Sequence, residues 1–254
     1  MTVVDLDIKN ARNALHLTLM SVEPFYRDIC HLVLVKNHES KIDSVSNYHF
    51  SFSESVRFLS VEINDSGIYD AFNFAIRNLP DDANVFFLNA GDLLVRSPNL
   101  LLLSQNVRKE RKYWGYGQLL LVNDECKIKS YTFRNFNRIL LNLGIKIVHQ
   151  QATVYSVHGL RLIGGFKADH KIAADMFAHY QLAQICNPFV TSDCISIFAL
   201  GGISAQSRSK HFSDWRSILK SQSRRHYLTQ TILNPILVFI SQIKNRWNSN
   251  NDYI

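Results

Sequence analysis

The chain has 254 residues, 46% of them hydrophobic and 19% charged, with ten Gly and five Pro. That balance excludes a disordered chain, a collagen-like fibre and a coiled coil, and the length allows a sizeable core without staples. The net charge is +7 and it is local: residues 207–254 carry eight Lys and Arg against Asp214 and Asp252, so +6 of the +7 lies there.

The first 206 residues are therefore close to neutral. A nucleic-acid binder spreads its positive face over the folded domain, so nucleic acid is not expected as a partner. A basic appendage suits an anionic surface such as a membrane leaflet. Within it, Ile232, Ile236, Phe239, Ile240, Ile243 and Trp247 recur at helical spacing, which describes a basic amphipathic helix begun or kinked near Pro235. Its longest pure apolar run, Ile236–Ile240, is too short to span a bilayer. Two readings stay open: contact with a membrane surface, or docking on the protein's own core. The expected division is a domain over 1–206 and a C-terminal helical extension over 207–254.

Cys30, Cys126, Cys186 and Cys194 form no C-x-x-C pair, and MTVVDLDIKN has no basic segment followed by an apolar one. Reduced thiols in the cytoplasm and no secretory leader are expected.

In chain order, MTVV is a short first strand. Ala11, Ala14, Leu15, Thr18, Leu19 and Val22 mark one helical face. His31–Val35 and Val56–Val61 are buried strands. Ile68, Ala71, Phe72, Ala75, Ile76 and Leu79 follow helical spacing, with Ser66 as a possible cap. Val85–Leu88 is another strand, and Ser97-Pro98 opens a helix that finishes in RKERK, mostly cations at the negative end of the dipole. YWGYGQLLLV and KIKSYTF flank Asn123-Asp124 as a hairpin. Ala152–Tyr155 and Cys194–Ala199 are short strands, and Ala173–Ala183 is a helix with Asp175 in its first turn. Strands alternating with helices predict an α/β fold with a mostly parallel central sheet, flanked by helices, plus a small antiparallel part.

In open parallel sheets, ligands bind beyond the carboxyl ends of the strands. The strand VFFL ends in Asn89-Ala90-Gly91-Asp92, where a carboxylate and an amide oxygen leave the sheet together. Asp92 is a candidate ligand for a divalent cation that also grips phosphates. The competing reading is a plain strand-to-helix turn. Asp65 and Gly67 stand where a strand gives way to a helix N-terminus, which offers free N–H groups to an anion. Asp70 and Asn73 lie one turn apart on that helix, in reach of the metal loop or a sugar.

Asp65-x-Gly67-Ile68-Tyr69-Asp70-Ala71-x-Asn73, followed by Phe87-Leu88-Asn89-x-Gly91-Asp92, resembles the family 2 glycosyltransferases of GT-A fold. The resemblance is to the branch that builds bacterial exopolysaccharide, colanic acid, capsule and O-antigen. His149-Gln150, Gly164-Gly165-Phe166 with Lys171-Ile172-Ala173-Ala174-Asp175, and Gly201-Gly202-Ile203-Ser204 fit in the same order, so the resemblance covers about residues 10–206.

The resemblance implies a nucleotide-diphosphate sugar donor, Mn2+ or Mg2+, and inversion at the anomeric carbon. Asp92 would be the metal ligand, and Asp175 the general base that deprotonates the acceptor hydroxyl. Asp169 is the reserve for that role. Asn37, Asp65, Gly67, Asp70, Asn73, Asn89 and Gly91 would bind the donor, and His149 and Gln150 would line the acceptor or diphosphate side. The acceptor implied is a lipid-linked saccharide at the inner face of the cytoplasmic membrane. Relatives usually carry Asp-Gly-Gly-Ser-x-Asp where this chain has Lys36-Asn37-His38-Glu39-Ser40, and Asn-Lys-Gly where it has Asn73-Phe74-Ala75. These departures carry the alternative: a pseudoenzyme of the same fold, serving as a scaffold for partner transferases.

Overall fold

The computed structural model describes residues 1–4, 10–36, 56–61, 67–95, 98–122, 128–131, 135–144, 146–167, 169–170, 173–199, 214–215, 217–218 and 220–221. Its strands are β1 (Thr2–Val4), β2 (His31–Lys36), β3 (Val56–Val61), β4 (Asn84–Phe86), β5 (Leu93–Leu94), β6 (Trp114–Val122), β7 (Ile128–Tyr131), β8 (Thr153–Ser156) and β9 (Phe189–Ala199). Its helices are α1 (Ala11–Val22), α2 (Ile68–Asn78), α3 (Asn99–Lys109), α4 (Arg138–Asn142), α5 (Val157–Leu162) and α6 (Ala174–Ile185).

One sheet is parallel, in the order β1-β2-β3, with Thr2 opposite Val33 and His31 opposite Val56. The other is mixed, in the order β4-β8-β6-β9-β5, with β7 paired to β6. The two meet at Met1. Its nitrogen donates to the Phe86 carbonyl at 2.7 Å, and its carbonyl accepts from the Leu88 N–H at 2.9 Å. Those two bonds have the spacing of a parallel pair centred on Met1 and Phe87. The end of β4 is thereby fixed beside β1, which positions the turn that follows.

The antiparallel part is larger than the sequence pattern indicated. β4 with β8, β6 with β8, β6 with β7 and β5 with β9 are antiparallel; β6 with β9 is parallel. The reason is burial. Thr153, Val154 and Tyr155 of β8 are buried in succession, and a strand covered on both faces shows the same apolar run whichever way its neighbours point. β9 also begins at Phe189, five residues before the apolar run at Cys194.

The helices follow their spacing. α2 buries Tyr69, Ala71, Phe72, Ala75 and Ile76. Its N-cap is Gly67, at φ 82°, where L side chains are strained; Ser66 lies outside the described residues. Arg161 of α5 closes the other end of α2, donating to the carbonyls of Ile76, Arg77 and Leu79. A cation at the negative end of the helix dipole satisfies carbonyls that have no helical partner. α2 packs on an aromatic core: Phe72 stacks on Phe87 at 4.2 Å, and Phe166 meets Phe87 at 5.5 Å and Tyr155 at 5.9 Å.

The start of the basic extension docks on the core. Trp215 and Ile218 are buried against Ala173, Met176, Phe177 and Tyr180, on the face of α6 and just before it. The amphipathic segment from Ile232 to Trp247 lies outside the described residues. Among the described residues, no helix is long and apolar enough to cross a membrane.

Candidate active site

The turn after β4 is built from backbone and clamped from α1. The Asp92 N–H donates to the Asn89 carbonyl at 3.0 Å, and Gly91 takes φ 102°, open to glycine and strained for other residues. Thr18 accepts from the Gly91 N–H at 2.9 Å and donates to the Asp92 carbonyl at 2.8 Å. One turn on, Ser21 accepts from the Leu94 N–H at 3.0 Å. α1 therefore holds Gly91–Leu94 through two small hydroxyl side chains on its inner face.

That clamp leaves the side chains of Asn89 and Asp92 aimed at unmet chemistry. Asp92 is only 4% exposed, and burial pushes its carboxyl up to about 7, opposed by a hydrogen bond from the Asn89 backbone. Among the described residues, Asp92 Oδ2 and Asn89 Oδ1 are buried with no hydrogen-bond partner. A buried carboxylate oxygen left without a partner is costly, and a cation is one remedy. Two oxygen donors suit Mg2+ or Mn2+, which keep positions for phosphate and water. Among the described residues, no group of three or more His, Cys, Asp or Glu could hold a metal.

The second acidic centre lies at the start of α6. Asp175 is half-buried between the buried Ala174 and Met176, and its Oδ1 accepts from the Met176 N–H at 2.8 Å. Burial, and then the nearby Asp175 charge, hold the Tyr69 phenol of α2 well above its ordinary range. Tyr155 of β8 is raised by burial and by the same Asp175 charge. Its hydroxyl lies 2.7 Å from Nε2 of His179, which is sandwiched between the Trp114 and Tyr155 rings at 5.2 and 5.6 Å. Burial, and then the nearby His149, lower His179 to about 3, so it is a neutral imidazole.

Gln150 is buried and donates to the Phe87 carbonyl at 2.9 Å, locking the His149-Gln150 corner to the end of β4. Asn73 uses both ends of its amide on one residue: Nδ2 donates to the Phe166 carbonyl at 2.7 Å, and Oδ1 accepts from the Phe166 N–H at 2.8 Å. It braces the Gly164-Gly165-Phe166 turn. A Cβ on Gly165 would collide with the Asn73 amide.

The structure thus gathers Asn89, Gly91, Asp92 and Gln150 at the end of β4; separately, the Tyr155 hydroxyl meets His179, with Asp175 close enough for its charge to act on Tyr155 and His149 close enough to act on His179. Gly67 and Asp70 sit on the first turn of α2, beside Tyr69, and Asp169 is exposed in the loop before α6. Asn37 and Asp65 lie outside the described residues, as do Lys171, Ile172 and Gly201–Ser204. The sequence reading missed Thr18, Tyr69, Tyr155 and His179. A threonine on the apolar face of α1 and a histidine inside the apolar α6 were the available signals: each is a buried polar group that needs a partner.

No protein-family model matches the chain, and no curated protein matches it by sequence. Solved structures do. TarS 1–349 of S. aureus in complex with UDP superposes with a TM-score of 0.61 at 14% identity, over 92% of this chain and 65% of that one. The mannosyltransferase PcManGT of Pyrobaculum calidifontis, with GDP-Man and Mn2+, gives 0.59 at 14% identity, over 87% and 63%. GalNAc-T7 with UDP, GalNAc and Mn2+ gives 0.54 at 11% identity, over 86% and 47%. The chain spans less than two thirds of the length of each. At such identities the likeness speaks for architecture alone, and the architecture is the GT-A fold.

Proposed function

We propose that this chain is a glycosyltransferase that moves a sugar from a nucleoside-diphosphate donor to an acceptor hydroxyl, with inversion. The observation that carries the reading is the pair of buried, unpartnered oxygens on Asn89 and Asp92, in a fold whose neighbours bind UDP or GDP-mannose. Asp92 and Asn89 would hold a divalent cation, Mn2+ or Mg2+. When bound, it neutralises charge on the departing diphosphate. Thr18 fixes the turn that presents Asp92, so the carboxylate needs little rearrangement to bind. Asp175 takes the proton from the acceptor hydroxyl as that oxygen attacks the anomeric carbon from the face opposite the diphosphate. His149 lines the diphosphate or acceptor side, with Gln150 holding its corner. Gly67 and Asp70, with Asn37 and Asp65, bind the donor. Asn73 serves that side indirectly, through the Phe166 turn.

The finer reading is a lipid-linked saccharide acceptor in the synthesis of a bacterial surface polysaccharide, with the enzyme at the inner face of the cytoplasmic membrane. Its support is the basic charge of residues 207–254 and the motif order in the sequence.

Titration calorimetry with UDP-, GDP- and dTDP-sugars, with and without manganese chloride, tests the proposal. We expect one nucleotide class to bind, with manganese, and Asp92→Ala to lose that binding. Absence of binding across the panel overturns the reading and leaves the non-catalytic scaffold.

A further inference from the structure

We propose that Asn73 is a positioning residue for the segment that carries Asp175: its amide clasps Phe166 and so fixes where the chain from Phe166 to α6 runs. The inference rests on the reading of Asp175 as the base, and it goes beyond the part of Asn73 on the donor side. Nδ2 donates to the Phe166 carbonyl and Oδ1 accepts from the Phe166 N–H, so both main-chain polar atoms of one residue answer to one side chain 93 residues away. Local preference does not set this direction. Gly164 and Gly165 stand in succession at φ 76° and 74°, and glycine has the widest backbone freedom of any residue. Upstream, the end of α5 holds the chain: the Gly164 N–H donates to the Arg161 carbonyl at 3.0 Å and the Gly165 N–H to the Leu160 carbonyl at 2.8 Å. The Asn73 amide is the next anchor, and it lies so close that a Cβ on Gly165 would meet its Oδ1.

From Phe166 the fixed geometry passes on. The Phe166 ring is buried against Tyr69 at 5.5 Å and Phe72 at 5.6 Å, so its ring and its backbone are both held. Two turns follow. The His170 N–H donates to the Lys167 carbonyl at 3.0 Å, and the Ala173 N–H to the His170 carbonyl at 3.1 Å. The Phe177 N–H then takes the Ala173 carbonyl at 2.9 Å, at the start of α6. The His170 ring meets the Phe177 ring edge-on at 5.5 Å, and Ala173 and Ala174 are buried. Asp175 is the next residue. The path from the Asn73 amide to the carboxylate is therefore a run of closed turns, seated in the core at both ends. A carboxylate that must meet an acceptor hydroxyl loses rate steeply when its backbone is misplaced.

Asn73→Leu keeps the size of the side chain and deletes both bonds. The experiment is amide hydrogen exchange by NMR in wild type and Asn73→Leu. Alongside it runs manganese-supported hydrolysis of whichever sugar nucleotide binds in the panel, with Asp175→Asn as the reference. In Asn73→Leu we expect the His170, Ala173 and Phe177 amides to exchange about tenfold faster, while those of β2 and α3 keep their wild-type rates. The kcat falls about tenfold to a hundredfold, and KM for the nucleotide changes by less than about threefold. A merely structural asparagine would speed exchange evenly along the chain and leave kcat per folded molecule unchanged. A second measurement does not need Asn73→Leu to fold: in wild type, the Phe166, His170 and Ala173 amides share one opening free energy. Opening of His170 and Ala173 independently of Phe166 overturns the inference, as does a raised KM with kcat unchanged. Wild-type kcat in Asn73→Leu beside an inactive Asp175→Asn overturns it too, and leaves the base assignment standing. Full turnover in Asp175→Asn, or no nucleotide bound across the panel, removes the base assignment and the inference together.

Discussion

Thr18 and Asp92 are joined through the main chain: the Thr18 hydroxyl donates to the Asp92 carbonyl at 2.8 Å while accepting from the Gly91 N–H at 2.9 Å. The carboxylate itself is left out of this arrangement, so the clamp fixes the backbone and spares the side chain for a ligand. Thr18→Val keeps the shape and deletes both bonds. A buried N–H and carbonyl left unsatisfied cost about 1–3 kcal/mol, which urea unfolding will read as a lower midpoint at an unchanged slope. Manganese-dependent nucleotide binding should weaken in the same variant, because the turn no longer has one fixed shape.

Asp92 gives the second prediction. Its folded value, about 7, lies above the ordinary 3.8, so the folded state binds the proton more tightly. Stability is then full below about pH 4, falls as pH rises and is lost by about pH 7. In metal-free buffer at pH 8, Asp92→Asn should be more stable than wild type, on the order of 2–4 kcal/mol. Adding manganese with a nucleoside diphosphate should raise the wild-type melting temperature and leave the variant unmoved. Thermal denaturation with and without the ion measures both effects.

Two buried histidines act in the opposite direction. His31, bonded to Thr2 at 2.8 Å, and His179 are each lowered to about 3 by burial. Their folded values lie below the ordinary 6.5, so the stability they leave intact above that pH is lost as pH falls toward 3. At pH 4.5 each is expected to cost about 2–3 kcal/mol. His179→Phe keeps a ring between Trp114 and Tyr155 and removes the titrating group. Its unfolding midpoint should fall less between pH 7 and pH 4.5 than that of wild type.

Trp215 supplies the fourth. It is 1% exposed and packs on the helix that carries Asp175. Trp215→Ala opens a large cavity there and should cost about 3–5 kcal/mol by urea unfolding. A chain ended at residue 206 should suffer at least as much, because it uncovers the same face of α6. Equal stability of the shortened and full chains would show that this packing contributes little.

Much of the fold was legible in local pattern. The 3.6-residue recurrence from Ile68 to Leu79 and the apolar runs at His31 and Val56 fixed elements within a residue or two of where they lie. So was the place of the acids, since Asp92 follows a strand and Asp175 opens a helix, and both facts are encoded within a few residues. The use made of individual polar groups was not. Asn73 and Gln150 stood out as candidates to meet a ligand, yet their amides brace the backbone at Phe166 and Phe87, 93 and 63 residues away.

By itself, then, the sequence determined which segments are helix and strand, which faces are apolar and where carboxylates leave the sheet. Tertiary structure alone decided strand direction, the clamp of Thr18 on a turn 73 residues distant, the Tyr155 hydroxyl on His179, and the docking of Trp215 on α6. The physical reason is range. Periodicity records whether a side chain faces water, a property of its own element. The partner of a buried polar group is whatever the fold brings within about 3 Å, and nothing in the neighbouring residues specifies it.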